Sequence, residues 1–488
     1  MTHTAFLEQA NIAPSIEPQL VWHTSQAARE QLWLQENCAK SVVRETDILT
    51  QFPNTSSEFQ QFYALLFSQE VAKEMLPYLQ MFWNELHELW KNNILSVQQM
   101  GMKTEDEFIA TFISDPENIL VYQNQITGSF LLLPRAPYFK ALYFSRLNPV
   151  VSAQEIAQLE SAAVIVLGAS SGEVSAKLLG KLGVEVHLTD PDVVDQSNVL
   201  RLQTSGTVDV GKSKVLQTGR DIVESNPMAG VYLYPRILPH KELFELIQKL
   251  SIQKERVVVV DAIDDLHTKV VLRCIGYALG VPICMNNNVA HEATIVTDQY
   301  PTSLLPNPQT ASFEDFQDWM QGNGTIAKLG FFGHKHLTKS VLIQKLAELK
   351  TKQGLDAAMA FTKLVVEIVG TKYFPPRQMV NLLLGSQGLQ NYLSQSGINA
   401  AASGAVQSRV VSKILNGQSV RDRVVVDLDA MIGATAEAED NAYLPEIVEN
   451  YPIFWQQYAD GKTSLLAVLR EAVKDVFGLK YEYQYRTE

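Results

Sequence analysis

The chain contains little cysteine for its length. Three of its 488 residues are cysteine, Cys38, Cys274 and Cys284, and no two of them form a C-x-x-C motif. So few cysteines exclude a disulfide framework, and without C-x-x-C pairs we expect no structural zinc. Cys274 and Cys284 lie in apolar stretches and are expected to be buried. This cysteine usage is typical of a reducing compartment, so we expect a cytoplasmic protein.

Long apolar runs and an excess of basic residues are also missing. No run approaches the roughly 18 apolar residues of a membrane span, and the first thirty residues lack the pattern of a signal peptide. The 40 Lys and Arg residues are outnumbered by 53 Asp and Glu, giving a net charge of −13. Because proteins that bind phosphate backbones normally carry a basic excess, we expect neither nucleic acid nor a membrane as a partner.

The chain is long enough for about three domains. Residues 1–150 show mainly helical patterns, with short strand-like apolar runs near residues 119–122 and 129–133. Residues 306–488 are again mainly helical. We therefore predict a mainly helical N-terminal domain (1–150), a central domain (151–305) and a mainly helical C-terminal region (306–488).

The central domain shows the alternation of strand-like and helix-like segments that is typical of an α/β fold. Four strand-sized apolar runs lie in it, at residues 163–167, 184–190, 257–261 and 281–285. Continuous apolar runs are typical of parallel strands that helices cover on both faces. The first run ends in a glycine turn and a helix, and the second ends in a carboxylate. This order predicts a Rossmann-like, doubly wound, mainly parallel sheet.

The glycine turn after the first strand runs Gly168-Ala169-Ser170-Ser171-Gly172-Glu173. Backbone amides at the start of a helix attract phosphate, although Glu173 would put a carboxylate near that phosphate. The same residues fit the G-x-S-x-G elbow of a serine hydrolase. A methyltransferase-like loop is a third interpretation. The turn alone leaves all three open.

Charged residues that follow the later strands favour nucleotide chemistry. An arginine, a lysine and a carboxylate all come after strands of the sheet, at Arg201, Lys214 and Asp264. Cationic groups can neutralise a triphosphate, and a carboxylate can hold Mg²⁺. Asp190, at the end of the second strand, is placed to accept hydrogen bonds from a ribose.

An ordered series of motifs, D-x-D, N-x-x-R, G-x-x-K, N-P and D-x-x-D, resembles the ThiF/MoeB/ubiquitin-activating-enzyme superfamily of adenylyltransferases. Its residues here are Asp190, Asp192, Asn198, Arg201, Gly211, Lys214, Asn226, Pro227, Asp261 and Asp264. The resemblance implies a homodimer or pseudodimer that binds ATP and Mg²⁺ and forms an acyl-adenylate with release of pyrophosphate. It implies that Asp190 holds the ribose and Asp264 the metal, and that phosphate is held by Asn198, Arg201 and Lys214. It also assigns to the nucleotide the residues Gly168, Ser170, Ser171, Gly172 and Asp192.

Two of the departures from the family pattern bear on the chemistry. Ser170 and Ser171 replace paired glycines of the turn, and neither zinc motifs nor a loop cysteine suited to a thioester is evident. We therefore expect adenylation of a carboxylate, the C-terminus of a peptide or small protein, without a cysteine thioester relay. One alternative is an inactive scaffold that binds a peptide or protein partner. An NAD-binding oxidoreductase is a second, and it leaves Arg201, Lys214 and Asp264 unexplained.

Two polar features remain open. Asn286-Asn287-Asn288 follows the fourth apolar run, where it could line a substrate pocket or end the strand.

Members of the resembled family often borrow an arginine from the partner's N-terminal region. Arg29 and Arg44 are available for that role, and the sequence selects neither.

Overall fold

The structure is a computed structural model. It describes most of residues 29–37, residues 344, 348 and 431, and the ranges 40–66, 76–91, 104–127, 130–147, 150–289, 292–299, 303–322 and 397–428. None of the helices in this described part is both long and apolar enough to cross a membrane.

Eleven strands are described: β1 (Val43–Arg44), β2 (Leu49–Phe52), β3 (Ile119–Asn124), β4 (Phe130–Pro134), β5 (Ala163–Leu167), β6 (Glu185–Thr189), β7 (Val231–Tyr234), β8 (Val257–Asp261), β9 (Ile283–Val289), β10 (Glu292–Asp298) and β11 (Arg423–Asp427). The described α-helices are α1 (Glu45–Ile48), α2 (Ser57–Leu66), α3 (Leu76–Lys91), α4 (Glu105–Ser114), α5 (Ala136–Tyr143), α6 (Ala153–Glu160), α7 (Glu173–Lys181), α8 (Lys214–Ser225), α9 (His240–Gln253), α10 (Leu266–Leu279), α11 (Phe313–Gly322) and α12 (Gly397–Leu415).

The main sheet has eight strands in the order β1-β7-β6-β5-β8-β9-β10-β11. Strands β7, β6, β5, β8 and β9 are parallel. The pairs β1–β7, β9–β10 and β10–β11 are antiparallel. This is the predicted doubly wound, mainly parallel sheet.

Helices cover both faces of this sheet. Helices α6, α7, α8 and α12 pack on one face, and α9, α10 and α11 pack on the other. Every residue of β5 and β8 is buried between the two layers. This double covering explains why both strands read as unbroken apolar runs.

The flanking regions both contribute to the main sheet. Strand β1 comes from residues 1–150, and β11 comes from residues 306–488. The N-terminal part also forms a separate sheet, in the order β2-β3-β4, which includes both predicted strand-like runs. The domain boundaries at 150 and 305 stay predictions, and most of residues 306–488 lie outside the described ranges.

The three consecutive asparagines belong to β9, so the interpretation that they end the strand was wrong, and a place for them in a substrate pocket stays a prediction. Asn286 pairs with Ile295 and Asn288 with Ala293 of β10, which carries the strand on to Val289. The Asn286 amide nitrogen donates to Ser403 Oγ (3.1 Å), and that hydroxyl donates to Asn288 Oδ1 (2.8 Å). Pairing with β10 and contact with α12 override the weak strand propensity of asparagine.

Candidate functional site

A cavity of about 410 Å³ lies where β5, β6 and β8 end. Its polar lining comprises Gly168, Ser170, Ser171, Thr189, Asp190, Asp192, Arg201, Lys214, Asp264, Asp265 and Thr268. Its remaining walls are Leu167, Pro191, Ile237, Leu238, Leu243, Ala262 and Ile263. Ligands of open α/β sheets bind in the crevice at the carboxyl ends of the strands, so this cavity is the candidate site.

The two glycines of the turn serve the backbone in different ways. Gly168 has φ +95°, and a Cβ there would lie 2.6 Å from the Ala262 carbonyl oxygen. A Cβ on Gly172 would lie 2.2 Å from the Gly168 carbonyl oxygen. Gly168, Ser170 and Ser171 line the cavity as predicted, whereas Gly172 does not and instead lets α7 start close against β5.

Asp190 joins the glycine turn to the turn that follows β6 through two hydrogen bonds. Its Oδ2 accepts from the Ala169 N–H (2.6 Å) and its Oδ1 from the Asp192 N–H (2.8 Å). Burial raises the pKa of Asp190, against the lowering effect of these hydrogen bonds. Because each carboxylate oxygen carries a second lone pair, Asp190 can still accept a hydroxyl of a ligand in the cavity.

Lys214 is the first residue of α8 and forms an ion pair with Asp192. Its Nζ lies 2.9 Å from Asp192 Oδ2, and its backbone N–H donates to the Asp192 carbonyl (3.1 Å). The lysine side chain is 5% exposed, whereas the aspartate side chain is 63% exposed. The ammonium is therefore held rigidly, and its solvated partner can give way to another anion.

Arg201 reaches the glycine turn from the segment after β6. Its Nε donates to Ser170 Oγ (3.0 Å). The Asn198 carbonyl accepts from the N–H of Arg201 (2.9 Å) and of Leu202 (3.0 Å). Asn198 thus forms the backbone turn that carries Arg201. Because Asn198 itself is not among the cavity-lining residues, its role in holding phosphate stays a prediction.

The carboxylates after β8 differ sharply in their surroundings. Asp261 is fully buried, and its Oδ1 lies 2.9 Å from Lys269 Nζ. Asp265 caps α10 by accepting from the Thr268 N–H (2.7 Å). Asp264 is exposed and lines the cavity. Of the two aspartates in the D-x-x-D motif, the second faces the site and the first anchors the loop to α10.

Glu173 lies where the sequence did not predict. It was expected near a bound phosphate, but it is 1% exposed and does not line the cavity. Its carboxylate accepts from the Gln203 N–H and from the Thr204 hydroxyl, the latter at 2.7 Å. Burial raises its pKa to about 7. The prediction was wrong because the partners of Glu173 lie thirty residues further along the chain.

Sequence reasoning also missed the apolar wall of the cavity. Ile237, Leu238 and Leu243 follow β7, a four-residue strand that the apolar pattern did not reveal. The only available signal was the short run Val231–Tyr234, whose alternating aromatic residues were not taken as a strand.

The described cysteines are buried, as expected. Cys274 and Cys284 are both 0% exposed, and burial raises the pKa of Cys284 to about 12. Such a thiol is almost entirely protonated at neutral pH and is a poor nucleophile. Cys38 lies outside the described residues.

The candidate arginines of the N-terminal region have different settings. The Arg44 guanidinium lies over the Tyr232 ring, 5.7 Å from its centroid, and so packs on the main sheet. Arg29 is exposed, and its neighbour Glu30 pairs with Lys212 at 2.7 Å. The role of either arginine in a partner's site stays a prediction.

Within the described residues, no group of three or more His, Cys, Asp or Glu side chains is arranged to hold a metal ion. Mg²⁺ in a nucleotide site commonly needs only one or two carboxylates, because phosphates and water supply the other ligands. Asp264 is a carboxylate of this kind, since it is exposed at the cavity.

Comparison with known proteins finds similarity over the domain that holds this cavity. Residues 144–329 match the model of the ThiF family. The chain is 29% identical over 154 residues to a Mycobacterium tuberculosis protein named "Probable adenylyltransferase/sulfurtransferase MoeZ", covering 31% of this chain and 38% of that protein. It is 27% identical over 156 residues to the sulfur carrier protein adenylyltransferase of Thermus thermophilus, covering 32% and 55% respectively.

A solved structure of E. coli MccB with ATP is similar at 14% identity and a TM-score of 0.36, covering 61% of this chain and 77% of that one. The chain spans about half or less of the length of the curated relatives it matches. The family match includes β5 to β10 and every polar residue that lines the cavity. Residues 144–329 therefore form a ThiF family domain, and this domain holds the whole candidate site.

Proposed function

We propose that the cavity binds ATP with Mg²⁺ and that the protein adenylates a carboxylate. The observation that carries this proposal is the convergence of four side chains on one cavity: Asp190, Arg201, Lys214 and Asp264. They come from four separate segments of the chain. Two cations, a carboxylate beside the glycine turn and an exposed carboxylate are the groups that activation of a carboxylate by ATP requires.

The charge of the cavity supports a metal-bound nucleotide. Four carboxylates line it (Asp190, Asp192, Asp264 and Asp265), against the two cations Arg201 and Lys214. An uncomplexed triphosphate would meet a net negative surface. A divalent cation held by Asp264 and the phosphates would reverse that balance, and Mg²⁺ bound there would neutralise charge on the phosphate oxygens.

The residues of this chain have distinct roles in the proposed reaction. Asp190 accepts the ribose hydroxyls, while the amides and hydroxyls of the Ser170–Ser171 turn and the two cations hold the phosphates. The substrate carboxylate attacks the α-phosphorus of ATP, forming an acyl–phosphate bond as the bond between the α-phosphorus and its bridging oxygen breaks. Pyrophosphate leaves with that oxygen, and Arg201 and Lys214 stabilise the charge that develops.

The carboxylate that is adenylated is proposed to be the C-terminus of a peptide or small protein. One relative is named for adenylylating a sulfur carrier protein, which supports a polypeptide substrate. Passage of the acyl group without a cysteine relay is supported by the burial of Cys274 and Cys284. A cytoplasmic homodimer completes the proposal, and light scattering of the purified chain tests the dimer.

Calorimetry with ATP and Mg²⁺, followed by pyrophosphate exchange with a panel of peptide acids, tests this function. We expect Lys214→Met to slow exchange by about a hundredfold, as for other lost electrostatic stabilisers. The matched control is Lys177→Met, since Lys177 forms an ion pair of similar length with Asp221 (2.8 Å) but does not line the cavity. Wild type that binds no ATP would remove the proposal in favour of a scaffold, and binding of NAD instead would favour the oxidoreductase.

A further inference from the structure

The segment that carries Arg201 is held from behind by Glu173. The carboxylate of Glu173 accepts from the Gln203 N–H and, at 2.7 Å, from the Thr204 hydroxyl. These partners come two and three residues after Arg201. Both carboxylate oxygens are therefore used to hold the chain just beyond the arginine.

The same glycine turn also holds the arginine side chain. Arg201 Nε donates to Ser170 Oγ at 3.0 Å, and Ser170 lies three residues before Glu173. One turn thus contacts the arginine at its side chain and at the backbone that follows it. Ser170 is one of the serines that replace the turn's paired glycines, so this departure also has a structural use here.

Helix α12 also contacts this segment, at Leu200 and Arg201. A Cβ on Gly397, the first residue of α12, would lie 2.3 Å from the Leu200 carbonyl oxygen and 3.3 Å from Arg201 Cα. The backbone of the segment therefore packs directly on the backbone of α12. Gly397 and Glu173 thus contact the backbone just before and just after Arg201.

We propose that Glu173 is a positioning residue that fixes Arg201 toward the bound phosphates, an inference that rests on the proposed function. An arginine on a loose segment would have to be ordered at the moment of reaction, whereas a fixed one is already in place. A carboxylate at the start of α7 would oppose phosphate binding if it faced the cavity. Here it is turned away and binds the segment instead.

Pyrophosphate exchange in four variants tests the inference: Glu173→Ala, Glu173→Gln, Arg201→Ala and the double variant Glu173→Ala/Arg201→Ala. We expect Glu173→Ala to slow exchange by about tenfold to a hundredfold, as small displacements of positioned groups do. Glu173→Gln should stay within about threefold of wild type, since its amide can accept from Gln203 and donate to Thr204. In a protein that already carries Arg201→Ala, adding Glu173→Ala should slow exchange by less than about twofold. The effects of two residues that act through one another do not add.

Hydrogen exchange gives a second readout that needs no nucleotide. The Gln203 amide should exchange faster in Glu173→Ala and at the wild-type rate in Glu173→Gln. If Glu173→Ala fails to fold, Thr204→Val removes one partner and should slow pyrophosphate exchange about threefold or more. The control is Glu85→Ala, which removes a partly buried glutamate of α3 that does not line the cavity, and it should leave the rate unchanged.

Three outcomes would overturn the inference. If the losses of exchange rate in Glu173→Ala and in Arg201→Ala multiply in the double variant, Glu173 does not act through Arg201. A Glu173→Gln variant as slow as Glu173→Ala would show that the hydrogen-bond geometry is not what matters. Wild type that binds no ATP would defeat the proposed function itself, and this inference with it, before any variant is measured.

Discussion

Lys269 Nζ lies 2.9 Å from Asp261 Oδ1, and the two side chains are 2% and 0% exposed. This ion pair joins the end of β8 to α10 across the loop that carries Asp264. An isolated charge at either position would be buried without compensation.

Lys269→Met should destabilise the protein by about 3–5 kcal/mol, because it leaves the Asp261 carboxylate buried without its partner. Urea denaturation measures this change. The double variant Asp261→Asn/Lys269→Met should recover more than half of the loss. A single variant as stable as wild type would show that the pair contributes nothing to holding this loop.

Asp264→Asn should weaken the binding of Mg²⁺ and leave the stability of the fold unchanged. Loss of one electrostatic contributor in an active site typically costs about a hundredfold or more in rate. We expect pyrophosphate exchange to fall by that amount and to need more Mg²⁺ for half-saturation. Asp318→Asn, which changes an exposed aspartate of α11, is the control. An unchanged Mg²⁺ titration in Asp264→Asn would place the metal elsewhere.

Alanine at three glycines should separate backbone strain from crowding. Gly168→Ala brings both strain and crowding, since Gly168 has φ +95° and an added Cβ would crowd Ala262. We expect the free energy of unfolding to fall by about 2 kcal/mol or more. Gly211 also has positive φ, +88°, but nothing lies within 4 Å of its Cβ, so Gly211→Ala should cost about 1 kcal/mol. Gly206 has φ −113°, and its Cβ would meet only Asp209 Oδ2, at 3.8 Å. Gly206→Ala should therefore be neutral in urea denaturation, and equal losses at all three sites would contradict this ordering.

The buried Glu173 should make stability fall as the pH rises. Burial raises its pKa from 4.5 to about 7 in the folded state. Between these values the unfolded chain releases the proton first, so unfolding becomes easier from pH 4.5 to 7, by at most about 3 kcal/mol. Below pH 4.5 the contribution is fully present. Glu173→Gln cannot titrate, so its melting temperature should decline less than that of wild type between pH 5 and pH 8.

Apolar pattern and motif order predicted the parts of the fold that depend on local chemistry. The β5 and β8 strands were predicted at their observed bounds, because a strand covered on both faces must be apolar throughout. Gly168, Asp190, Arg201, Lys214 and Asp264 were singled out by their positions after strands, and all five line one cavity. Their proposed roles still await experiment.

Features that depend on distant pairing were not predictable. Glu173 finds its partners at Gln203 and Thr204, and nothing local to Glu173 identifies them. The asparagines of β9 were interpreted from their polarity and their position after the fourth apolar run, but pairing with β10 carries the strand through them. Such contacts close long loops, so only the assembled sheet reveals them.

The two edges of the main sheet come from widely separated parts of the chain. Strand β1 holds Val43 and Arg44, whereas β11 holds Arg423–Asp427. During synthesis the parallel centre would emerge well before its last edge strand, leaving the hydrogen-bonding groups on the outer edge of β10 unpaired while its other edge pairs with β9. Exposed strand edges recruit other chains. A nascent or proteolysed chain that stops before residue 423 would therefore be prone to self-association, even with the parallel centre of its sheet intact.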